Sequence, residues 1–369
     1  MPDFRVAFFL PHFAGGGAER VATALAEEYR ARGAVVDFVL AQKGWALGGQ
    51  FPLEMRVVDL KAPRVLFALP ALVRYLRDVR PDVMFAAPNH AHIILLLAKV
   101  FSGSSVRTML HVGNHVSTIQ RKSIKFQERF YPFFLSLLQR YANAVIAVSE
   151  GVADDLERVT HLHAEKLHVI YNPIYRPEME ELMQKPLDHP WFGDGQPPVI
   201  LAAGRLVEQK DYPTLIRAFA SLRESRTAHL VILGEGNLLS KLQALCAYLG
   251  IAEDVYFAGF DHNPYKYMAH CSVFVLSSAW EGFANVVAEA LACGAEVVAT
   301  DCNSGPSEIL AGGQYGRLVP VGDNVALATA MMEALTHPLP KDFLCQRGRY
   351  FSASLAAEKY LGSVGLHLP

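Results

Sequence analysis

Charge is scarce in this chain. Only 19% of its 369 residues are Asp, Glu, Lys or Arg, and 34 basic against 36 acidic residues leave a formal net charge of −2. A chain so nearly neutral lacks the electrostatic footprint of a general nucleic-acid binder. Cysteine is scarce too: Cys246, Cys271, Cys293, Cys302 and Cys345 all fall in the second half, with no C-x-x-C pair. An odd, scattered set points to reduced, buried thiols of a cytoplasmic protein. No H-E-x-x-H spacing occurs, which removes that zinc signature. Long apolar runs are missing: Ile93 to Val100 and Val273 to Leu276 are too short to span a bilayer. The opening MPDFRVAFFLPHF has an early acid and no small-residue cleavage site, so it reads as a first strand rather than a signal peptide. Solenoid-length repeats and low-complexity tracts are also absent.

What is present is hydrophobic pattern. Half the residues are apolar (51%), enough for well-packed cores, and the length suits two domains. Short Val/Ile/Leu/Phe runs, each followed by a helical pattern, are the mark of buried parallel strands. RVAFFL (Arg5 to Leu10) precedes AERVATALAEEYRARG, with Gly33 placed as a helix C-cap. VVDFVL, DVMFAA, VRTMLH and AVIAVS continue the series, and Ser149 is placed to cap the following helix. PPVILAAG, HLVILGEG, VYFAGF, VFVLSS and EVVATD restart the rhythm, then GRLVPVGD. The fold class expected is α/β, two doubly wound, Rossmann-like parallel-sheet domains. Tyr171 to Pro198, rich in Pro, Glu and Asp, reads as the linker or cleft edge, with the boundary near Asn172–Pro173. The expected divisions are 1–172, 173–350 and a terminal helix within 351–369. Ligands of such sheets sit at the carboxyl ends of strands.

Three motifs stand there. HFAGGGAERV puts Gly15, Gly16 and Gly17 between the first strand and its helix, where backbone N–H groups can approach an anion or a sugar. A plain glycine turn is the competing reading. The dinucleotide fingerprint G-x-G-x-x-G fails because Arg20 occupies its last glycine position, which argues against a dehydrogenase. AAGRLVEQKDY places Arg205 and Lys210 just past a buried strand, suited to hold a phosphate-bearing ligand and the charge growing on a leaving diphosphate; a solvated basic loop is the alternative. SSAWEGFANVVAEALACG places Glu281 and Gly282 before a helix start at Phe283, Ala284, Asn285 and Val286, with Glu289 further in. A helix start attracts anions, and carboxylates accept hydrogen bonds from sugar hydroxyls. Glu289 sits among VVA and ALA, which argues against a surface position, and a buried glutamate needs a partner.

Together with VSEGVADDL, YNP and GPSEIL, these motifs make nearly the whole chain resemble a retaining glycosyltransferase of family GT4, with the GT-B fold. The resemblance implies two domains facing a central cleft, a nucleotide-sugar donor, no cofactor and no required metal. It implies that Glu289 holds the donor ribose, Glu281 the transferred sugar, Arg205 and Lys210 the diphosphate, and that Gly16 and Gly17 approach the donor phosphates from the first domain. Gly282 to Val286 would meet the phosphates, Gly259 and Phe260 the nucleotide base, and Gly305 and Ser307 would lie near the donor. The family's mid-domain histidine falls on His111, with His115 in reserve; a structural histidine is the plain reading. His90 and His92 are placed on the acceptor side, against a satisfied loop pair. The terminal helix would cross back to the first domain.

The implied reaction is transfer of a hexosyl or N-acetylhexosaminyl group from a nucleotide sugar, UDP-linked by default. The acceptor would be a glycan or lipid-linked molecule in cell-envelope polysaccharide or lipopolysaccharide synthesis. A nucleotide-sugar epimerase or a non-catalytic nucleotide-binding module are the alternatives. RKSIKFQERFYPFFLSLLQRY, 121–141, interleaves cations with aromatics. It suggests peripheral contact with the inner face of the cytoplasmic membrane, against a core-facing helix with snorkelling cations interrupted at Pro132.

Overall fold

The short β-branched and aromatic runs do become strands. The computed structural model describes residues 4–13, 16–42, 55–122 and 126–367. β1 (Arg5–Leu10), β2 (Val35–Leu40), β3 (Arg56–Asp59), β4 (Val83–Ala86), β5 (Arg107–Val112), β6 (Ala144–Ala147) and β7 (Leu167–Val169) form one sheet in the order β3-β2-β1-β4-β5-β6-β7. β8 (Val199–Ala203), β9 (His229–Leu233), β10 (Val255–Gly259), β11 (Val273–Leu276), β12 (Val297–Thr300) and β13 (Arg317–Val319) form the other, in the order β10-β9-β8-β11-β12-β13. Neighbouring strands pair in parallel, for example Val6 with Val83 and Phe274 with Leu201. Central strands β4, β6, β8, β11 and β12 are buried along their whole length, as parallel strands covered on both faces must be. Edge strands β3 and β7 are only partly covered. Both sheets reverse direction beside their first strand, at β1/β4 and at β8/β11, and a crevice opens past the carboxyl ends at such a point.

The chain divides into two units, Met1–Pro173 with Ala353–Pro369, and Ile174–Ser352. The last helix, Ala353–Gly362, therefore belongs to the first unit. Ala356, Ala357, Tyr360 and Leu361 enter its core beside Phe8, Phe38 and Phe85. The Tyr29 hydroxyl donates to the Ala357 carbonyl at 3.1 Å, and Arg107 donates to the carbonyls of Val364 and Gly365 at 2.6 and 2.7 Å. The second core gathers β8, β9, β11 and the helices Tyr212–Arg223 and Asn324–Thr336.

Two local expectations change. The stretch 171–198 is not bare linker: it carries the helix Glu178–Met183, whose first-turn acids Glu178, Glu180 and Glu181 suit the helix dipole. It also carries a short turn, Pro190–Phe192, that stacks Trp191 on His229 at 4.1 Å. Pro132 does not interrupt a helix. It sits in the first turn of Tyr131–Leu138, where its missing N–H costs nothing. That stretch is instead divided into helices Val116–Lys122, Phe126–Arg129 and Tyr131–Leu138. Among the described residues no helix is long and apolar enough to cross a membrane.

Candidate functional site

In the second unit the two strands flanking the reversal, β8 and β11, each end in a polar loop, and the loops are bonded together. The β8 loop turns at Gly204, whose φ of +154° suits glycine. A Cβ there would stand 3.1 Å from Lys210 Cε, so the missing side chain leaves room for the lysine to lie back across the loop. The loop closes with the turn Glu208–Lys210 before the helix Tyr212–Arg223. Ala279 N–H donates to the Gln209 carbonyl at 2.8 Å, and the Ser277 hydroxyl to the Lys210 carbonyl at 2.8 Å. The Gln209 side chain donates to the Trp280 carbonyl at 2.9 Å. Lys210 Nζ donates to Glu281 Oε1 at 2.5 Å.

That last contact is the electrostatic centre. Glu281 is only 7% exposed, and a carboxylate so enclosed requires a counter-charge and donors. It has both: Lys210 and, at 2.7 Å, the hydroxyl of the fully buried Ser278. The loop after β12 completes the enclosure. Thr300 Oγ1 donates to the Ser278 carbonyl at 2.7 Å, and the Ser304 hydroxyl to the Glu281 carbonyl at 2.9 Å. Gly305, at φ +91°, packs so closely that a Cβ would sit 2.3 Å from the Phe283 carbonyl oxygen. The negative charge is felt around it. Burial first, then Glu281, push the Cys302 thiol up to about 12 and raise the Tyr212 phenol as well.

Beyond Glu281 the chain enters the helix Asn285–Ala292. Its N-cap is Ala284, in the left-handed region at φ +68°, an arrangement that strains a residue with a Cβ. Alanine offers no side-chain acceptor to the first turn, so this start has no side-chain cap. Gly282 and Phe283 are buried in front of it, Asn285 and Val286 half-buried at its start, and Glu289 buried within it. Arg205 is exposed and makes no ion pair among the described residues. Gly259 ends β10 at φ +73°, and Phe260 after it is 50% exposed, edge-on to His262. Ser307 is half-buried in the short helix Pro306–Ile309; the serine of that loop that bonds the Glu281 segment is Ser304. The sequence therefore pointed to Lys210 and Glu281 but not to Gln209, Ser278, Thr300 and Ser304. Only the hydroxyl three residues ahead of Glu281 carried a local signal, of the kind by which serine bonds nearby chain.

In the first unit the residues are held differently. The helix Gly17–Ala31 begins at Gly16, with φ −75° and no side-chain cap. A Cβ on Gly16 would meet the Glu19 carboxylate at 2.7 Å, whereas one on Gly17 meets nothing within 4 Å. His111, on β5, is 3% exposed; its Nδ1 lies 2.9 Å from the Tyr360 hydroxyl, and burial lowers its pKa to about 4. His92 lies wholly in the core. Its Nε2 donates to the Ala86 carbonyl at 3.0 Å, leaving Nδ1 to accept from Tyr131 at 2.8 Å. With both nitrogens engaged it lines no open face, contrary to expectation, while His90 is half-buried. His115 Nδ1 stands 3.6 Å from the buried Asp155, which also accepts from Ser117 N–H and Arg158. Among the described residues no three His, Cys, Asp or Glu side chains gather as metal ligands.

Known proteins resemble this chain along both halves. Residues 15–175 match the family described as Glycosyltransferase Family 4, and residues 187–348 the one described as Glycosyl transferases group 1. One relative, from Campylobacter jejuni, is N-acetylgalactosamine-N,N'-diacetylbacillosaminyl-diphospho-undecaprenol 4-alpha-N-acetylgalactosaminyltransferase. It is 35% identical over 268 residues, covering 73% of this chain and 70% of that one. The lipopolysaccharide core biosynthesis glycosyltransferase LpsE of Rhizobium meliloti is 28% identical over 358 residues, covering 94% of this chain and 95% of the relative. Among solved structures, the apo form of the lipopolysaccharide outer core galactosyltransferase WaaB superposes with a TM-score of 0.74 at 20% identity, covering 98% of this chain and 99% of that one. Anabaena Alr3699/HepE in complex with UDP superposes at 0.77 and 21%, covering 96% and 98%. Two doubly wound sheets, a stitched acidic and basic loop pair on the second, and these matches across both halves make the chain a glycosyltransferase of the GT-B fold, a member of family 4.

Proposed function

We propose that the chain transfers a hexosyl or N-acetylhexosaminyl group from a nucleotide sugar, with UDP as the nucleotide, to a glycan or lipid-linked acceptor, with retention of anomeric configuration. The products belong to cell-envelope polysaccharide or lipopolysaccharide synthesis. One observation carries the reading: the Lys210–Glu281 pair is enclosed directly ahead of the uncapped helix start at Ala284. A diphosphate at that start takes charge neutralisation from Arg205 and Lys210 and accepts from backbone N–H groups between Gly282 and Val286. Glu281 accepts from a hydroxyl of the transferred sugar and Glu289 from the ribose. Gly259 and Phe260 present an aromatic edge to the base. With lysine and arginine meeting the leaving diphosphate, no metal is required, and EDTA should leave the rate unchanged.

The names of relatives support the substrate classes. One acts on a diphospho-undecaprenol-linked glycan, and HepE was crystallised with UDP and with UDP-glucose. In the first unit, Gly16, Gly17 and His111 are the residues to substitute in the same assay. Contact with the inner face of the membrane is proposed through Phe130, Phe133 and Leu137, which share one helical face and are 41%, 64% and 60% exposed, beside the exposed Arg121, Arg129 and Arg140. Lys125 lies outside the described residues. Binding to anionic vesicles should fall when Phe133 and Leu137 become serine, and unchanged binding would retire the contact.

The transfer reading is tested by incubating UDP-glucose, UDP-galactose, UDP-N-acetylglucosamine and UDP-N-acetylgalactosamine with the protein, alone and with a lipid extract. UDP release that depends on the extract, with a glycosylated product, is expected. Conversion of donor to an epimer without acceptor contradicts it in favour of an epimerase, and binding without turnover in favour of a non-catalytic module.

A further inference from the structure

The two oxygens of Glu281 are not equivalent. Oε1 takes both strong bonds, from Lys210 Nζ at 2.5 Å and from Ser278 Oγ at 2.7 Å. Oε2 meets only the Gln209 amide among the described residues, at 3.5 Å, and that amide has its shorter bond, 2.9 Å, to the Trp280 carbonyl. One oxygen is anchored and the other is left able to accept.

The two anchors also differ. Lys210 has a long, rotatable stem, and a bound diphosphate would compete for its ammonium. Ser278 has none of that freedom. Its side chain is one rotor long, it is fully buried two residues past the end of β11, and its own carbonyl is held from β12 by Thr300 at 2.7 Å. When Lys210 turns toward phosphate, the serine hydroxyl still holds the carboxylate.

We infer that Ser278 is a positioning residue of the transferase: it pins Glu281 Oε1 so that Oε2 faces the sugar hydroxyl throughout turnover. This rests on the proposed role of Glu281 as a sugar-hydroxyl acceptor. A carboxylate displaced by a fraction of an ångström still binds the donor but no longer meets the transition state in register.

The test is a mutant cycle of Ser278→Ala, Glu281→Gln and the double variant, assayed for UDP release from the donor of the UDP-sugar panel that turns over fastest, with melting temperatures recorded for each. Glu281→Gln alone should lower kcat about 100-fold. Ser278→Ala should lower kcat about 10- to 100-fold with donor KM within about threefold of wild type. In the Glu281→Gln background the serine change should lower kcat less than about twofold, because a residue acting through another loses its effect when the other is gone. Ser278→Thr, which keeps the hydroxyl, should recover most of the activity. Wild-type kcat in Ser278→Ala overturns the inference. So does an equal fold-loss in both backgrounds, which would mark a general structural defect. Wild-type kcat in Glu281→Gln instead overturns the underlying role of the glutamate, and the two failures are told apart by which single variant stays active.

Discussion

Apart from the seventh strand of the first, the two sheets have the same strand order around the same reversal, yet they hold some of their buried polar residues differently. In the second unit, charge is buried as a pair. Lys210 and Glu281 lie 2.5 Å apart with side chains 14% and 8% exposed, and the hydroxyls of Ser277, Ser278, Thr300 and Ser304 brace the glutamate and the surrounding loops. The first unit also buries carboxylates, Asp37 against Arg5 and Asp155 against Arg158, but it keeps two deep histidines neutral: His92 and His111 are pushed down by burial and each faces a tyrosine. One topology thus supports two solutions to the cost of burying polarity. In the second unit the enclosed pair lies directly ahead of a helix start, whereas the histidines of the first are closed off by tyrosines.

Breaking the charged side of that contrast gives the largest effect. Lys210→Met leaves Glu281 enclosed without its cation and should cost about 3 kcal/mol or more, read as a lowered denaturant midpoint. Adding Glu281→Gln should recover part of the loss. Equal stability of Lys210→Met and wild type would mean the pair is not a buried one.

The neutral side is probed by acid. His111 falls to about 4 and His92 to about 3 in the folded chain, against about 6.5 when unfolded. The unfolded chain therefore binds more protons below that value. The stability these histidines supply is fully present above about pH 6.5 and is lost as pH falls toward 4 and then 3. For His111 the loss is on the order of 3 kcal/mol. Melting temperature should fall over this window in wild type and fall less in His111→Gln. Parallel curves would contradict the assignment.

The difference between the units also explains what could be read in advance. Central strands such as VFVL and VVAT are continuous apolar runs because both faces are covered, so they announce themselves. The strands β3, RVVD, and β7, LHV, do not: they are short edges with partial cover and no apolar run to read. Lys210 and Glu281 were legible because charge at the end of an apolar strand is out of place unless used. Ser278, Thr300 and Ser304 were not, since a hydroxyl is unremarkable in sequence and gains meaning only when strands distant in the chain become neighbours. His92 was misplaced for the same reason: its partners, Ala86 and Tyr131, come from a strand and a helix that only folding brings to it.

A smaller effect sharpens the contrast at the helix start. Ala284 holds φ +68° where glycine would be relaxed, so Ala284→Gly should stabilise the fold by about 0.5 kcal/mol after the entropy cost of glycine. Retention of that strain at the proposed phosphate site predicts, for the same variant, a weaker rather than stronger grip on UDP, by about two- to threefold. A loss of stability would show that the backbone there is not strained.

The proposed grip of the second unit on a nucleotide diphosphate, between its basic loop and its helix start, can be measured by calorimetric titration of UDP into the wild type and Arg205→Ala. Arg205 is exposed and unpaired among the described residues, so its removal should leave melting temperature nearly unchanged. Kd should rise about 10-fold or more, the loss of a charge-assisted phosphate contact. An unchanged Kd in a variant that remains folded would contradict it.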